Sequence, residues 1–268
     1  MIRCLLIREM SLDITLKHII PCLIDNTVLV SLTNYGYLLY TLNMLKSLRP
    51  YDLDKKVLIV AIDQKSYSIL KKKGYSAVFI EYPDDELDKS KFYPWNSKGY
   101  DKVCYYKLEL IYQILLLQKN ILLIDGDIVF QKDPRPDIEE WNKSVDDVWI
   151  QNDAEEDNNT ENMCTGYMFV RSTEQMIALY DCVSPSGKEK YMKCALDNND
   201  QTYFNKFVKP FCTMKPLPLI LYPNGSVFYK TPSVTEIATL LHFNWVKGHE
   251  KMVRMKEYRK WLLTPEEE

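Results

Sequence analysis

The sequence predicts an α/β fold in which a mostly parallel central sheet carries helices on both of its faces. Strand-like and helix-like segments alternate through the first half of the chain, and parallel strands require such crossover helices. Residues 121–124 are apolar at every position, as expected for a strand that is buried on both faces. The chain has 268 residues, of which 46% are hydrophobic, and this is enough for one large domain with a substantial core.

The elements of the first half follow from local turn and stop signals. Pro50 stops the first helix, and Gly74 is expected to be the C-cap of the second. A polar stretch at 82–101, which contains Pro83 and Pro94, is predicted to be a long loop. The predicted elements are strands at 27–32, 56–62, 77–81 and 121–124, and helices at about 35–48, 64–73 and 103–118.

The second half is less regular, and no Gly-rich or Ser-rich linker divides it from the first. Two strands are predicted to flank an acidic, Asn-rich loop at 152–162. This loop could be a mobile lid or a solvated surface, and the solvated surface is the favoured interpretation. The predicted elements are strands at 146–149 and 166–171, helices near 173–182 and 199–207, a Pro-rich strand region at 215–222, a short segment at 239–244 and a helical tail at 250–263.

Composition excludes several classes of protein. The formal net charge of −3 provides no basic field that would attract nucleic acid. The seven cysteines are odd in number and form no CxxC pair, so neither a zinc site nor a disulfide framework is expected. No apolar run approaches the length of about 20 residues that a membrane span needs. Charged residues interrupt the N-terminal segment, which argues against a signal peptide and favours a cytoplasmic protein.

The most informative motif is the Asp-Gly-Asp at 125–127, directly after the apolar strand. Asp125 and Asp127 have no adjacent lysine or arginine, and two close carboxylates at a sheet end are costly unless a cation binds them. Oxygen ligands favour Mg²⁺ or Mn²⁺. An ordinary Asp-Gly turn is the alternative interpretation, because many turns contain this pattern.

Polar residues also follow the first two strands. Thr33, Asn34 and Tyr37 could hydrogen-bond to or stack on a nucleoside, or Thr33 or Asn34 could simply cap the next helix. Asp63 ends the second strand in the same position and carries the same two interpretations. Lys107 lies near the edge of the apolar face of the helix before the Asp-Gly-Asp strand. It could neutralise a diphosphate, hold an Asp in place or be solvated.

Two later segments carry further candidates. Asp200 and Gln201 open a helix, where they could point into a cleft, although capping explains an Asn or Asp there equally well. His242 stands between apolar residues, and such a histidine is more often structural. The lysines that follow it also allow a metal diphosphate site, with imidazole on the cation and ammonium groups on the phosphates. Gly166 is predicted to start its strand, where a glycine permits close approach of a ligand or backbone, although a simple turn explains it equally well.

The order of these motifs resembles that of the glycogenin-like and related retaining glycosyltransferases of the GT-A fold. The resemblance covers about residues 27–255 and runs through TVLVSLTNYGY, YKLELIYQILLLQKNILLIDGDIVFQKDP, TGYMFVRST, NDQTYFN and LHFNWVKGHEKM. It implies a Rossmann-like sheet in one domain over 1–268, with a nucleotide-binding half at about 27–130. A sugar and acceptor half at about 131–255 would form a smaller C-terminal subregion, and 1–26 and 256–268 would be peripheral.

The resemblance also implies an activity and a site. The expected activity is transfer of a sugar from a nucleotide-diphosphate donor, most simply a UDP-sugar, with retention at the anomeric carbon and with Mn²⁺ or Mg²⁺ as cofactor. The implied metal ligands are Asp125, Asp127 and His242. The implied residues around the donor are Thr33, Asn34, Tyr37, Asp63, Asp125, Gly126, Gly248 and either Lys247 or Lys251, and the implied catalytic residues are Lys107, Asp200 and Gln201.

Some features depart from the family pattern. Cys164 occupies a position where relatives often have Asn, so the donor sugar stays open. The acceptor also stays open, although Tyr93, Trp95 and Tyr100 could either contact it or belong to a surface loop. A homodimer is possible. A nucleotidyltransferase is the enzymatic alternative, but it would need a Gly-rich basic loop that 33–40 lacks. A non-catalytic nucleotide-sugar-binding module is the other alternative.

Overall fold

A computed structural model describes residues 14–81, 88–94, 97–194 and 199–268. In chain order, the strands are β1 (Leu23–Ile24), β2 (Thr27–Thr33), β3 (Leu58–Ala61), β4 (Ala77–Phe79), β5 (Asn120–Ile124), β6 (Ile128–Phe130), β7 (Val148–Asn152), β8 (Met163–Val170), β9 (Met214–Leu217) and β10 (Leu240–His242). The α-helices are α1 (Leu16–Ile19), α2 (Leu38–Leu48), α3 (Gln64–Lys72), α4 (Lys98–Leu116), α5 (Arg135–Lys143), α6 (Glu174–Tyr180), α7 (Pro185–Cys194), α8 (Asp200–Tyr203), α9 (Gly225–Lys230) and α10 (His249–Glu257).

The main sheet has the strand order β4-β3-β2-β5-β8-β7-β9, and β1 pairs antiparallel with the first two residues of β2. Strands β4, β3, β2 and β5 are parallel to one another. Strand β8 is antiparallel to both of its neighbours, β5 and β7, and β9 is parallel to β7. The predicted α/β class with a mostly parallel sheet is therefore confirmed, with β8 as an antiparallel insertion.

Helices cover both faces of this sheet, and β5 shows why. Ile121 and Leu123 pack into one apolar cluster with α4, whereas Leu122 and Ile124 pack into a second cluster with α2. Both faces of β5 are thus buried, as the continuous apolar run predicts. Each fully buried Ile or Leu stabilises the fold by about 1.5–3 kcal/mol relative to its exposed form.

Several predicted boundaries were wrong. Helix α4 begins inside the predicted 82–101 loop, because the Ser97 hydroxyl caps it by accepting from Tyr100 N at 3.3 Å. Strand β8 begins at Met163, so Gly166 lies in its interior rather than at its start. Helix α10 ends at Glu257, and the tail beyond it packs on α2, where Asn43 Oδ1 accepts from Leu262 N at 2.6 Å.

Some elements were not predicted at all, namely α1, β1, β6, α5, α7 and α9. Residues 1–13, 82–87, 95–96 and 195–198 lie outside the described residues, and the predictions that concern Pro83 and Trp95 fall there. Within the described residues, no helix is long and apolar enough to cross a membrane.

The arrangement of the strands defines one polar edge. The carboxyl ends of β2, β3 and β5 meet there because these strands are parallel. A second, two-stranded sheet of β6 and β10 lies directly beyond β5 and pairs His242 with Ile128. In open α/β sheets, ligands bind at such carboxyl-end crevices.

Candidate active site

The Asp-Gly-Asp turn connects β5 to β6 at this edge. Asp125 N donates to Gly166 O at 2.7 Å, which ties the turn to β8. Phe243 N donates to Asp127 O at 3.0 Å, which ties it to the end of β10. The register of β6 with β10 therefore brings His242 beside Asp127, although the two residues are far apart in the sequence.

Asp125, Asp127 and His242 form one compact cluster. Each offers one ligand atom, and these atoms lie within 4.8 Å of one another. Asp127 and His242 are buried, whereas Asp125 is half-buried. Two carboxylate oxygens and one imidazole nitrogen are a donor set that suits Mn²⁺ or Mg²⁺.

The state of the His242 ring follows from Gln151, which is fully buried on β7 at a register shift between Ile150 and Gln151. The Gln151 side-chain amide donates to the backbone carbonyls of Tyr222 at 3.0 Å and Pro223 at 3.2 Å. Its Oε1 therefore faces His242 Nδ1, at 2.6 Å, as an acceptor. We infer that Nδ1 carries the proton, so that Nε2 presents its lone pair to the cluster.

That lone pair faces another acceptor. His242 Nε2 lies 3.3 Å from Asp127 Oδ1, and this buried oxygen has no hydrogen-bond partner among the described residues. A buried polar atom without a partner is rare and calls for an explanation. A cation that both atoms ligate would satisfy them, and the residues present fit a divalent metal ion in this respect.

Charges around Asp127 favour its ionised form. Burial opposes ionisation, but the Lys251 ammonium in contact with Asp127 Oδ2 outweighs it and holds the pKa of Asp127 well below its usual range. For Asp125, burial dominates and raises the pKa, although Lys107 opposes this shift.

Lys107 bridges two carboxylates inside the site. Its Nζ lies 2.8 Å from Asp125 Oδ1 and 2.8 Å from Asp200 Oδ2. The Thr165 hydroxyl also donates to Asp200 Oδ2, at 2.6 Å. Burial would lower the pKa of Lys107, but the two carboxylates raise it, and Lys107 in turn keeps the pKa of Asp200 below its usual value despite burial. Lys107 is therefore buried and holds the carboxylates in place, not solvated.

Two glycines permit the close packing of this region. A Cβ on Gly166 would lie 2.3 Å from His242 Cε1 and 2.9 Å from Asp125 Oδ2. A Cβ on Gly126 would lie 2.7 Å from Thr41 Oγ1 and 3.0 Å from the Tyr37 ring. The sequence reasoning expected close approach at Gly166 but not its position in mid-strand.

The predicted nucleoside residues lie at the ends of β2 and β3, and two of them are helix caps. Asn34 Oδ1 accepts from Tyr37 N at 3.0 Å, and Asp63 Oδ1 accepts from Ser66 N at 2.9 Å. The Thr33 hydroxyl lies 2.8 Å from that of Thr41. The structure therefore gives Asn34 and Asp63 the capping role that the sequence left open.

Tyr37 connects this turn to the metal-ligand cluster. Burial and the nearby Asp127 and Asp125 raise the pKa of its hydroxyl well above the usual value. The Phe92 ring stacks on Tyr37 with the ring centroids 6.0 Å apart, and Asn34 Nδ2 donates to Lys91 O at 2.7 Å. The described segment 88–94 therefore lies against the end of β2.

The remaining predicted residues take different positions. Asn199 caps α8, which directs Asp200 towards Lys107, whereas Gln201 turns away and donates to Asp153 Oδ2 at 2.9 Å. Gly248 is the N-cap of α10 with φ +53°. Lys247 is exposed beside it, and only Lys251 of this pair reaches Asp127. Cys164 is buried, with Sγ 3.7 Å from His242 Nδ1.

Sequence reasoning missed Gln151, Asp153 and Thr165. A signal for two of them was present, because Gln151, Asn152 and Asp153 follow an apolar run just as Asp125 does. Strand β7 is antiparallel to β8, which is antiparallel to β5, so β7 ends at the same edge as β5. Residues 163–166 reach this edge from the opposite direction, and only the pairing of β8 shows that.

Comparisons with known proteins identify the family of this chain. Residues 52–255 match a family described as nucleotide-diphospho-sugar transferase. A UDP-galactose:fucoside alpha-3-galactosyltransferase of Dictyostelium discoideum is 24% identical in an alignment of 294 positions, gaps included, that covers 91% of this chain and 44% of that protein. A UDP-D-xylose:L-fucose alpha-1,3-D-xylosyltransferase of Arabidopsis thaliana is 23% identical in an alignment of 275 positions that covers 96% of this chain and 75% of that protein. The chain thus spans less than half of the first relative.

Solved structures share the fold. Mouse xyloside xylosyltransferase 1 superposes with a TM-score of 0.54 at 12% identity, covering 81% of this chain and 97% of that one. A glycosyltransferase involved in glycosylation of the major capsid of PBCV-1 superposes with a TM-score of 0.51 at 11% identity, covering 86% of this chain and 98% of that one. At these identities the likeness shows the GT-A fold and no more.

Proposed function

Since the chain belongs to the nucleotide-diphospho-sugar transferase family, we propose that it is a metal-dependent glycosyltransferase that moves a sugar from a UDP-linked donor to a sugar acceptor, with retention at the anomeric carbon. The acceptor oxygen forms the new bond to that carbon while the bond from the carbon to the diphosphate oxygen breaks. UDP leaves with the bonding electrons, and the acceptor proton passes to a phosphate oxygen.

One observation carries the metal dependence. Gln151 accepts the Nδ1 proton, so in the neutral imidazole the lone pair of His242 Nε2 faces the unpartnered Asp127 Oδ1 across 3.3 Å. With Asp125, these atoms would hold Mn²⁺ or Mg²⁺. When bound, the cation would neutralise the donor diphosphate and the charge that develops on it.

Lys251 is the proposed phosphate-binding lysine. Its ammonium group lies at Asp127 Oδ2, beside the metal-ligand cluster, whereas Lys247 is exposed on the loop before α10. A phosphate that approaches the cluster would therefore meet Lys251 first. The N-terminus of α10, at Gly248, adds a favourable dipole for an anion at the same place.

Lys107 and Asp200 are proposed to stabilise the sugar carbon electrostatically. Asp200 is only 2% exposed and is held by Lys107 and Thr165. These contacts favour a role as an ionised carboxylate that supports the transition state over a role as the attacking nucleophile. A fixed negative charge near a carbon that becomes positive stabilises the transition state. Gln201 would lie beside the donor sugar.

The proposed uridine position is the turn that follows β2. Thr33 and Tyr37 lie at this turn, next to Gly126 and the metal-ligand cluster. Asn34 and Asp63 hold the backbone of the turn through their capping bonds, and Asp63 Oδ2 also accepts from Tyr35 N at 2.7 Å. Their contribution is therefore to the shape of the nucleoside site.

The acceptor proposed first is an L-fucoside. The Dictyostelium relative is named for a fucoside acceptor and the Arabidopsis relative for L-fucose. The same names suggest UDP-galactose and UDP-D-xylose as the first donors to try.

The test measures UDP release from each donor, with and without Mn²⁺ and methyl α-L-fucoside. We expect release by the wild type to require Mn²⁺ and Asp127→Ala to lose this Mn²⁺-dependent release. Glu139→Ala is the matched control, because Glu139 forms an exposed pair with Lys143 on α5 and such pairs contribute little. Equal, metal-independent turnover by wild type and Asp127→Ala would contradict the metal role.

A further inference from the structure

Trp245 is an exposed aromatic side chain at the rim of the candidate site. It is 57% exposed, whereas Trp141, Trp149 and Trp261 are buried or half-buried. It also adopts φ +64°, a left-handed backbone conformation that is strained for a bulky residue. An exposed, strained tryptophan three residues after His242 calls for an explanation other than core packing.

The ring of Trp245 is fixed by a hydrogen bond. Its indole N–H donates to Asp153 Oδ1 at 3.0 Å, and Asn244 Nδ2 donates to the same oxygen at 3.2 Å. The other oxygen, Oδ2, accepts from Gln201 Nε2 at 2.9 Å and from Asn162 Nδ2 at 3.0 Å. All four donors are neutral, and they use the lone pairs of the carboxylate.

Asp153 therefore acts as a link and not as a contact for substrate. It connects Trp245 to Gln201, the neighbour of Asp200, and so fixes the indole relative to the place where the donor sugar is proposed to lie. Trp245 lies on the solvent side of this link, and Asp200 lies on the buried side. The indole is therefore open to a molecule that enters from solvent on the outer side of the donor-sugar position.

We propose that the exposed face of Trp245 is the platform on which the sugar ring of a glycoside acceptor stacks; this rests on the proposed function. Sugar rings have an apolar C–H face, which packs against an aromatic ring, while their hydroxyl groups stay at the edge. Stacking would hold the acceptor ring parallel to the indole and turn one hydroxyl towards the donor. The platform selects for a neutral ring with an apolar face, which includes 6-deoxyhexosides and pentosides.

The experiment compares wild type, Trp245→Ala and Trp245→Phe. UDP release is measured with UDP-galactose and UDP-xylose in Mn²⁺, without acceptor and with methyl α-L-fucoside, methyl β-D-xyloside or methyl β-D-galactoside. We expect Trp245→Ala to raise the acceptor KM by about tenfold, because the apolar face of the sugar ring loses the aromatic surface that buries it. Acceptor-free hydrolysis and the donor KM should change by less than about twofold. Trp245→Phe keeps an aromatic face but loses the bond to Asp153, so it should recover only part of the acceptor affinity.

Phe211→Ala is the matched control, because Phe211 is also an exposed aromatic residue and its backbone carbonyl accepts from Gln175 on α6, which is not a site residue. Melting temperatures of all variants exclude unfolding as the cause. An unchanged acceptor KM in Trp245→Ala overturns the proposal, as does equal loss of donor hydrolysis. Donor hydrolysis that no glycoside stimulates also overturns it. If the wild type releases no UDP from either donor, the proposed function is refuted and this inference fails with it.

Discussion

Replacing Gln151 with methionine tests how the metal-ligating imidazole is oriented. Gln151 makes three buried hydrogen bonds, to His242 Nδ1 at 2.6 Å and to the carbonyls of Tyr222 at 3.0 Å and Pro223 at 3.2 Å. Methionine has a similar volume and offers no comparable acceptor. Cys164 Sγ, 3.7 Å from Nδ1, is too weak an acceptor to replace the amide.

The expected loss follows from the buried Nδ1–H that remains unsatisfied. Such a group costs about 1–3 kcal/mol, and the ring can avoid this cost by moving its proton to Nε2, which would block the metal site. We therefore expect the affinity for Mn²⁺ to fall by about 10–100-fold, the range typical of lost outer-shell partners. Electron paramagnetic resonance of free Mn²⁺ measures this affinity without any need for turnover.

Two further variants make the result specific. Gln64→Met replaces an exposed glutamine on α3 and should leave Mn²⁺ binding unchanged. Gln151→Glu keeps an acceptor for Nδ1–H, so Mn²⁺ affinity should recover, while the melting temperature falls because a carboxylate would face the Tyr222 and Pro223 carbonyls. A folded Gln151→Met that binds Mn²⁺ as tightly as the wild type would refute the reasoning.

Two other predictions concern the same cluster. Gly166→Ala should lower both the melting temperature and Mn²⁺ affinity, because its Cβ would lie 2.3 Å from His242 Cε1; unchanged values in both assays would contradict the close packing. In metal-free protein, Asp127 and Asp200, whose pKa values are lowered, contribute stability above pH about 4 that is lost as the pH falls through their folded values. The urea midpoint of the wild type should therefore fall on acidification, and that of Asp127→Asn should fall less steeply. Asp125, whose pKa is raised, opposes this trend in both proteins. Equal slopes of urea midpoint against pH in the two proteins would contradict the prediction.

The fold was predictable because its signals are local. The alternation of strands and helices and the apolar run at 121–124 predicted the parallel part of the sheet, and the family match confirms the predicted class of enzyme. Strand β6 was not predicted because Ile128–Phe130 follows the Asp-Gly-Asp turn directly and is not set off by turn residues of its own. Helix α5 escaped because its sequence, RPDIEEWNK, buries only Ile138 and Trp141.

The site residues that directly follow a strand could be predicted from the sequence. Those whose position depends on pairing between strands distant in the sequence could not. Asp125 and Asp127 stand directly after β5, so their position needed only the strand. The contact of His242 with Asp127 depends on the β6–β10 register, and the role of Gln151 depends on the direction of β7 and its register shift. Neither is visible in local composition. Asn34 and Asp63 show the opposite case, because a local capping signal was sufficient to explain their contacts.

Calorimetric titration of UDP into metal-free and Mn²⁺-saturated protein tests the central claim, that Asp125, Asp127 and His242 bind a cation that holds a nucleotide diphosphate. We expect UDP to bind tightly only with Mn²⁺, and the dependence to disappear in Asp127→Ala. UDP binding of equal affinity with and without Mn²⁺ would contradict the account.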